Sequence, residues 1–175
     1  MMNRRRFIHW CSLSLSVLAA LFFAIPGVGF LMDPLAGDNK RKKRHRLLKL
    51  SDLEIGVPRK IAIIDQRVDA WTRYPEGPIG AVWLRRRDEK RVDAYSATCP
   101  HLGCPVNFVT AGEQFHCPCH EASFAADGSI ITGPQQRGLD RLDVEIETVG
   151  KDEDEWVSVV FERFEPGISE RKSLE

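Results

Sequence analysis

Cys99-Pro100-His101-Leu102-Gly103-Cys104 is answered thirteen residues later by Cys117-Pro118-Cys119-His120. Cys99-x-His101 and Cys117-x-x-His120 bring two thiols and two imidazoles into one frame. Four such ligands suffice for a structural zinc ion. Cys104 and Cys119, at matching places in the two halves, are cysteines that a zinc ion does not need. A lone histidine is usually an ordinary hydrogen-bonded side chain, but two of them in register with four cysteines are not explained that way.

The doubled pattern resembles the Rieske family of iron–sulfur proteins. In that family two thiolates hold one iron of a [2Fe–2S] cluster and two imidazoles hold the other. The resemblance implies that Cys99 and Cys117 are the thiolate ligands, that His101 and His120 are the imidazole ligands, and that Cys104 and Cys119 form a disulfide between the two loops. Neutral imidazole donates less charge than thiolate, so an iron with two histidines is easier to reduce. Rieske centres accordingly reach roughly −150 to +300 mV, against about −400 mV for all-cysteine plant-type clusters. A ring nitrogen left free on each ligating imidazole can exchange a proton as the metal changes charge, which suits quinol oxidation and makes His101 and His120 the candidate proton acceptors. Gly103 permits a positive φ beside the ligands, and Pro100, Pro105 and Pro118 stiffen the turns. Gly133-Pro134 resembles the family's third loop, which covers the cluster.

The chain departs from the pattern after the second loop. Many quinol-oxidising members read Cys-His-Gly-Ser-x-Tyr, with the Ser and Tyr hydroxyls donating to cluster sulfur. Here the run is His120-Glu121-Ala122-Ser123-Phe124. Ala122 stands in the Ser place and Phe124 in the Tyr place, so both donors are gone. Ser123, one place later, would need a loop adjustment to substitute. Loss of these hydrogen bonds should lower the potential, and the charge of Glu121 acts in the same direction. That points to a low-potential quinol such as menaquinol.

At the amino end, Asn3-Arg4-Arg5-Arg6-Phe7-Ile8-His9 resembles the twin-arginine export motif, a route for cargo that has already folded around its cofactor. Trp10–Leu31 is a run of 22 residues without Asp, Glu, Lys or Arg. As a helix it measures about 33 Å at ~1.5 Å per residue, enough to span ~30 Å of hydrocarbon. No small-x-small cleavage site follows, so residues 1–35 are expected to be an uncleaved single anchor. Pro26, Gly27 and Gly29 are expected to end or kink the helix early, and Cys11 is read as a small apolar residue. Residues 36–58 read as a basic linker or hinge. Its run Lys40-Arg41-Lys42-Lys43-Arg44-His45-Arg46 is a solvated tether or a contact for anionic lipid, not a nucleic-acid site. Six Lys/Arg here against three before the span would place the far side in the cytoplasm by the positive-inside rule. The export motif and the Cys104/Cys119 pair instead put the head on the periplasmic side of a bacterial cytoplasmic membrane.

Residues 59–175 form the expected head, with 15 Lys/Arg against 21 Asp/Glu. This negative balance suits either solubility or docking to a basic electron acceptor. Short strands are expected at Lys60–Asp65, Ile79–Leu84, Val92–Ser96, Gln114–Cys117, Leu139–Glu147 and Trp156–Phe161, with an acidic hairpin tip at Asp152–Glu155. Arg67–Pro78 reads as a long loop, and Trp71 and Trp83 as core. The resemblance implies an all-β fold: an antiparallel sandwich with an inserted cluster-binding subdomain at about 98–134, preceded by one transmembrane helix.

The expected function is that of a Rieske subunit in a bacterial bc- or bf-type complex. It would work with a cytochrome b subunit, take electrons from quinol and pass them to a c-type cytochrome. The alternatives are the Rieske small subunit of an arsenite oxidase and a zinc-stapled β module. A soluble oxygenase ferredoxin fits less well, because such proteins usually lack the anchor and the Cys104/Cys119 pair.

Overall fold

The computed structural model describes residues 3–32, 43–69, 72–150 and 154–174. The chain divides into two units, Met1–Arg41 and Lys42–Glu175, each described by itself. Expectations for residues 33–42, for Trp71 and for residues 152–153 of the hairpin tip lie outside the described residues; Asp154 and Glu155, the rest of that tip, begin a strand.

The first unit holds one helix, α1 (Arg4–Met32), apolar and exposed along its length. Among the described residues it is the helix long and apolar enough to cross a membrane. Ser12 and Ser16 turn their hydroxyls back to the carbonyls of Ile8 and Ser12, both at 2.9 Å, which satisfies polar groups locally, as an apolar surrounding requires. The helix does not end early at Pro26, Gly27 or Gly29 but continues to Met32. A proline removes a single backbone donor, and α1 runs on past that point.

The second unit is all-β and antiparallel. Its strands are β1 (Arg44–Lys49), β2 (Arg59–Asp69), β3 (Thr72–Arg86), β4 (Val92–Ser96), β5 (Asn107–Val109), β6 (Gln114–Cys117), β7 (Ala122–Ala125), β8 (Ile130–Thr132), β9 (Arg141–Val149) and β10 (Asp154–Val160). They make a six-stranded base sheet in the order β1-β10-β9-β4-β3-β2 and a four-stranded sheet in the order β5-β6-β7-β8. The base sheet folds over on itself. Its two edges meet where Lys43 and His45, at the start of β1, reach Asp65 on β2.

The base core is Leu48, Leu50, Leu53, Ile63, Val82, Leu84, Val92, Ala94, Leu142, Val157, Val159 and Phe164. A second core, Trp83, Tyr95, Ala97, Cys99, Val106, Phe115, Cys117, Ala122, Phe124 and Leu139, lies beneath the four-stranded sheet. Alternation on β3 and β4 divides residues between the two: Val82, Leu84, Val92 and Ala94 enter the base, Trp83 and Tyr95 the second core. All five residues of β4 are therefore buried.

Two expectations are corrected. Residues 43–58 are not a free linker. Arg44–Lys49 pairs with β10, a 3-10 turn follows at Leu50–Asp52, and Leu50 and Leu53 are each 2 % exposed. The cations are matched by acids a hundred residues away. Arg44 meets Glu145 and Glu147, Arg46 lies 3.6 Å from Glu147, and Lys49 lies 2.7 Å from Asp154. Arg46 and Lys49 also flank the Trp156 ring, each at 5.9 Å. The Arg67–Pro78 segment is likewise not a loop. It is the outer part of a β2–β3 hairpin, with Asp69 opposite Thr72 and Ile64 opposite Pro78. Register shifts at Ile63/Ile64 and Gln66/Val68 accommodate the prolines in a two-stranded arm.

The correction at 43–58 has a direct check. Leu50→Ala should destabilise the head by about 2–5 kcal/mol, as loss of a buried leucine does. Arg46→Ala, which removes an exposed ion pair and the guanidinium beside Trp156, should cost about 1 kcal/mol. Denaturant titration that finds Leu50→Ala neutral would return this segment to linker.

Candidate functional site: paired thiols and paired imidazoles on two tied loops

The first loop is the continuation of β4. Val106 N donates to Ala97 O at 2.8 Å, Cys99 N to Cys104 O at 2.7 Å and Gly103 N to Cys99 O at 3.0 Å. The ring of hydrogen bonds closes because Gly103 takes φ 80°, a conformation that costs glycine nothing. The second loop is the hairpin between β6 and β7. Cys117 pairs with Ala122, so Pro118, Cys119, His120 and Glu121 make the turn, and Glu121 supplies its positive φ of 55°. Beneath both loops, Phe115 packs at 5.1 to 6.0 Å against Phe108, Trp83 and Tyr95. Trp83 Nε1 donates to Val106 O at 3.0 Å, and Tyr95 OH donates to Asp127 O at 2.8 Å.

Cys104 and Cys119 are joined in a disulfide, with Cα atoms 6.6 Å apart. Cys99 and Cys117 remain as thiols, each 1 % exposed, in hydrogen-bond contact with each other. The Cys99 thiol is pushed up to about 11, first by burial and then by its Cys117 neighbour, against the pull of the backbone N–H groups of His101 and Leu102. Those two donors suit a sulfur that carries negative charge. The His101 and His120 rings stand edge to face with centroids 4.7 Å apart; His101 is half-buried and His120 exposed. The sulfurs of Cys104, Cys117 and Cys119 also cluster, but two of them are spent in the disulfide, so that trio offers a single thiolate. The donor set that fits a metal group is Cys99, Cys117, His101 and His120: sulfur on the buried side, imidazole nitrogen on the open side.

The third loop lies against the second. A Cβ placed on Gly133 would fall 2.6 Å from Ala122 Cα and 2.3 Å from Gln135 Oε1, and Gly133 has φ 121°. Pro134 follows, exposed. Ala122 and Phe124 are buried at 1 % and 0 % exposure. The Ser123 hydroxyl sits 3.5 Å from His116 Nδ1. Sequence reading passed over His116, whose Nε2 lies 3.7 Å from Glu121. It also passed over Gln135, buried and donating to Thr132 O at 2.8 Å. A polar residue directly after Gly133-Pro134 was the only signal for the latter.

The disulfide ties two loops whose internal hydrogen bonds are few. Cys104→Ser or Cys119→Ser should lower stability by about 2–4 kcal/mol while Cys99 and Cys117 stay paired. Mass spectrometry of the intact head finding both Cys104 and Cys119 as free thiols would refute the cross-link.

Comparison with known proteins agrees with this site. The model of the Rieske [2Fe-2S] domain matches residues 43–146, which begin at β1 and include both ligand loops. The menaquinol:cytochrome c reductase iron-sulfur subunit of Bacillus subtilis (strain 168) is 26 % identical over 148 residues, 82 % of this chain and 86 % of that one. The cytochrome b6-f complex iron-sulfur subunit of Chlorobaculum thiosulfatiphilum is 50 % identical over 54 residues, a match confined to 31 % of this chain and 30 % of that one. Among solved structures, the plasma-membrane Rieske protein of the cyanobacterium Synechocystis PCC 6803 is 34 % identical, covering 46 % of this chain and 79 % of that one with a TM-score of 0.36. The match over 43–146, together with paired thiols and paired imidazoles on two disulfide-tied loops, establishes that the chain belongs to the Rieske [2Fe-2S] domain family.

Proposed function

We propose that this chain is the membrane-anchored Rieske subunit of a quinol:cytochrome c oxidoreductase, which accepts electrons from menaquinol beside a cytochrome b subunit and delivers them to a c-type cytochrome. The observation that carries the reading is the pair of imidazoles 4.7 Å apart at the open side of a buried thiol pair. In this reading Cys99 and Cys117 hold one iron, and His101 and His120 the other. A bound [2Fe–2S] cluster supplies a one-electron acceptor and donor at the tip.

The chain's own residues do the rest. His120, exposed, and His101, half-buried, each keep one ring nitrogen for a hydrogen bond from the quinol hydroxyl, and that nitrogen takes the proton as the electron leaves. Ala122 and Phe124 fill the space beneath the second loop without offering a hydroxyl, which holds the potential down and favours menaquinol. Gly133, whose missing Cβ lets the third loop lie against Ala122, and Pro134 act as the lid. The similarity to a menaquinol-oxidising relative across most of both chains supports the same quinol class.

Helix α1 is the anchor, and Arg4-Arg5 the export signal. The head lies on the outer side, where the Cys104–Cys119 disulfide is maintained. Lys43, Arg44 and Arg46 do not oppose this placement, because they are held by Asp65, Glu145 and Glu147 within the head and would cross with it as folded cargo.

Purification of the complex from membranes through a tag on this chain tests the assignment. Cytochrome b and a c-type haem protein should co-purify; a molybdenum-containing subunit in their place would overturn it. His101→Ala and His120→Ala should each abolish the Rieske spectrum, since each removes one nitrogen from the same iron. A variant that keeps the full spectrum would show that histidine to be misassigned. Ala122→Ser and Phe124→Tyr should each raise the midpoint potential measured by voltammetry; unchanged or lower values in variants whose hydroxyls reach sulfur would refute the tuning argument.

A further inference from the structure

The chain continues after β10 along the back of the first loop. Phe164 packs into the base core. Glu165 N donates to Lys172 O at 2.9 Å and Leu174 N to Arg163 O at 2.8 Å, so residues 163–174 close on themselves as a short strap. The strap meets the first loop directly. Gly167 N donates to Pro100 O at 2.9 Å, and the backbone at Gly167 passes so close that a Cβ there would lie 3.6 Å from His101 O. Cys99, Pro100, Asp140, Phe164, Pro166 and Leu174 line a cavity of about 170 Å³ between strap and loop. The strap lies beyond residues 43–146, which match the family.

One side chain latches it. Arg137, whose side chain is 9 % exposed, donates to both carboxylate oxygens of Asp140, at 2.9 and 3.0 Å. It also donates to Ile168 O at 2.5 Å and to Glu165 O at 2.9 Å. Asp140 O in turn accepts from Ser96 N at 2.8 Å, at the end of β4 where the first loop begins. A buried guanidinium with a bidentate carboxylate and two carbonyls is strongly oriented. It joins the root of the first loop to the two strap carbonyls that flank Gly167.

We propose that Arg137 is a positioning residue for the first ligand loop, acting through the strap: it holds Glu165 and Ile168 so that Gly167 fixes the Pro100–His101 peptide and the strap covers the rear of Cys99. The inference rests on the reading of Cys99 and His101 as ligands. Without the latch the second loop keeps its hairpin and its disulfide, whereas the first loop loses its outer support. The effect is therefore one-sided.

The test compares full-length protein with Arg137→Gln, with Arg137→Lys, which keeps the charge beside Asp140 but not the four bonds, and with a chain ended after Phe164. In the cluster-loaded forms the spin-resonance spectrum should shift, and iron should pass to a chelator about tenfold faster. Amide exchange should rise at His101, Leu102 and Gly103 and stay unchanged at Cys119–Glu121. A lower melting temperature with an unchanged spectrum and evenly raised exchange would mean a merely structural role and would overturn the proposal, as would three variants indistinguishable from the parent. Should the truncated chain fail to fold, Arg137→Lys gives the same readouts. If the parent itself shows no Rieske spectrum, the ligand reading fails, and exchange at His101–Gly103 in metal-free protein still decides whether the strap holds the loop.

Discussion

β4 has water on neither face, and the site follows from that. Val92 and Ala94 are locked in the base core while Tyr95 is locked in the core beneath the loops. The strand cannot slide or roll without exposing one set, because a one-residue slip exchanges its two faces. Its continuation is the first loop, so the place where Cys99 and His101 emerge is set by burial. The indole of Trp83 extends the same constraint sideways through its hydrogen bond to Val106 O, just beyond that loop. The disulfide then transfers the position of the first loop to the second.

The electrostatics of the two faces of the site differ for the same reason. Cys99 and Cys117 are each 1 % exposed, where an uncompensated charge is expensive, yet the backbone N–H groups of His101 and Leu102 oppose the rise that burial causes at the Cys99 thiol. The imidazoles sit on the open side, His101 half-buried and His120 exposed. The two faces of the site thus offer different donors, buried sulfur on one and more accessible imidazole on the other.

That Cys99, His101, Cys117 and His120 sit on two loops tied by Cys104 and Cys119 was legible in the sequence, because their spacing repeats between the two halves. The strands at 92–96 and 114–117 were legible too, since they lead directly into that frame. β1 was hidden by composition. A run such as Lys43-Arg44-His45-Arg46 looks solvated until Glu145, Glu147 and Asp65 are brought beside it, and nothing local announces those partners. Leu48, Leu50 and Leu53 carried the contrary signal in their spacing. The β2–β3 arm was hidden by Pro75 and Pro78, which read as loop but fit a hairpin whose register shifts. The contacts of Arg137 were invisible because two of its partners, Glu165 O and Ile168 O, are backbone carbonyls of a distant segment, which no side-chain pattern encodes.

The central claim is that two thiols and two imidazoles from these loops hold one cluster. Hyperfine spectroscopy of the reduced protein, carrying 15N only in histidine, measures this most directly. The account predicts couplings from two histidine nitrogens on a [2Fe–2S] spin system. A spectrum with one coupled nitrogen or none, or a protein that purifies with zinc and gives no spin signal, would contradict it.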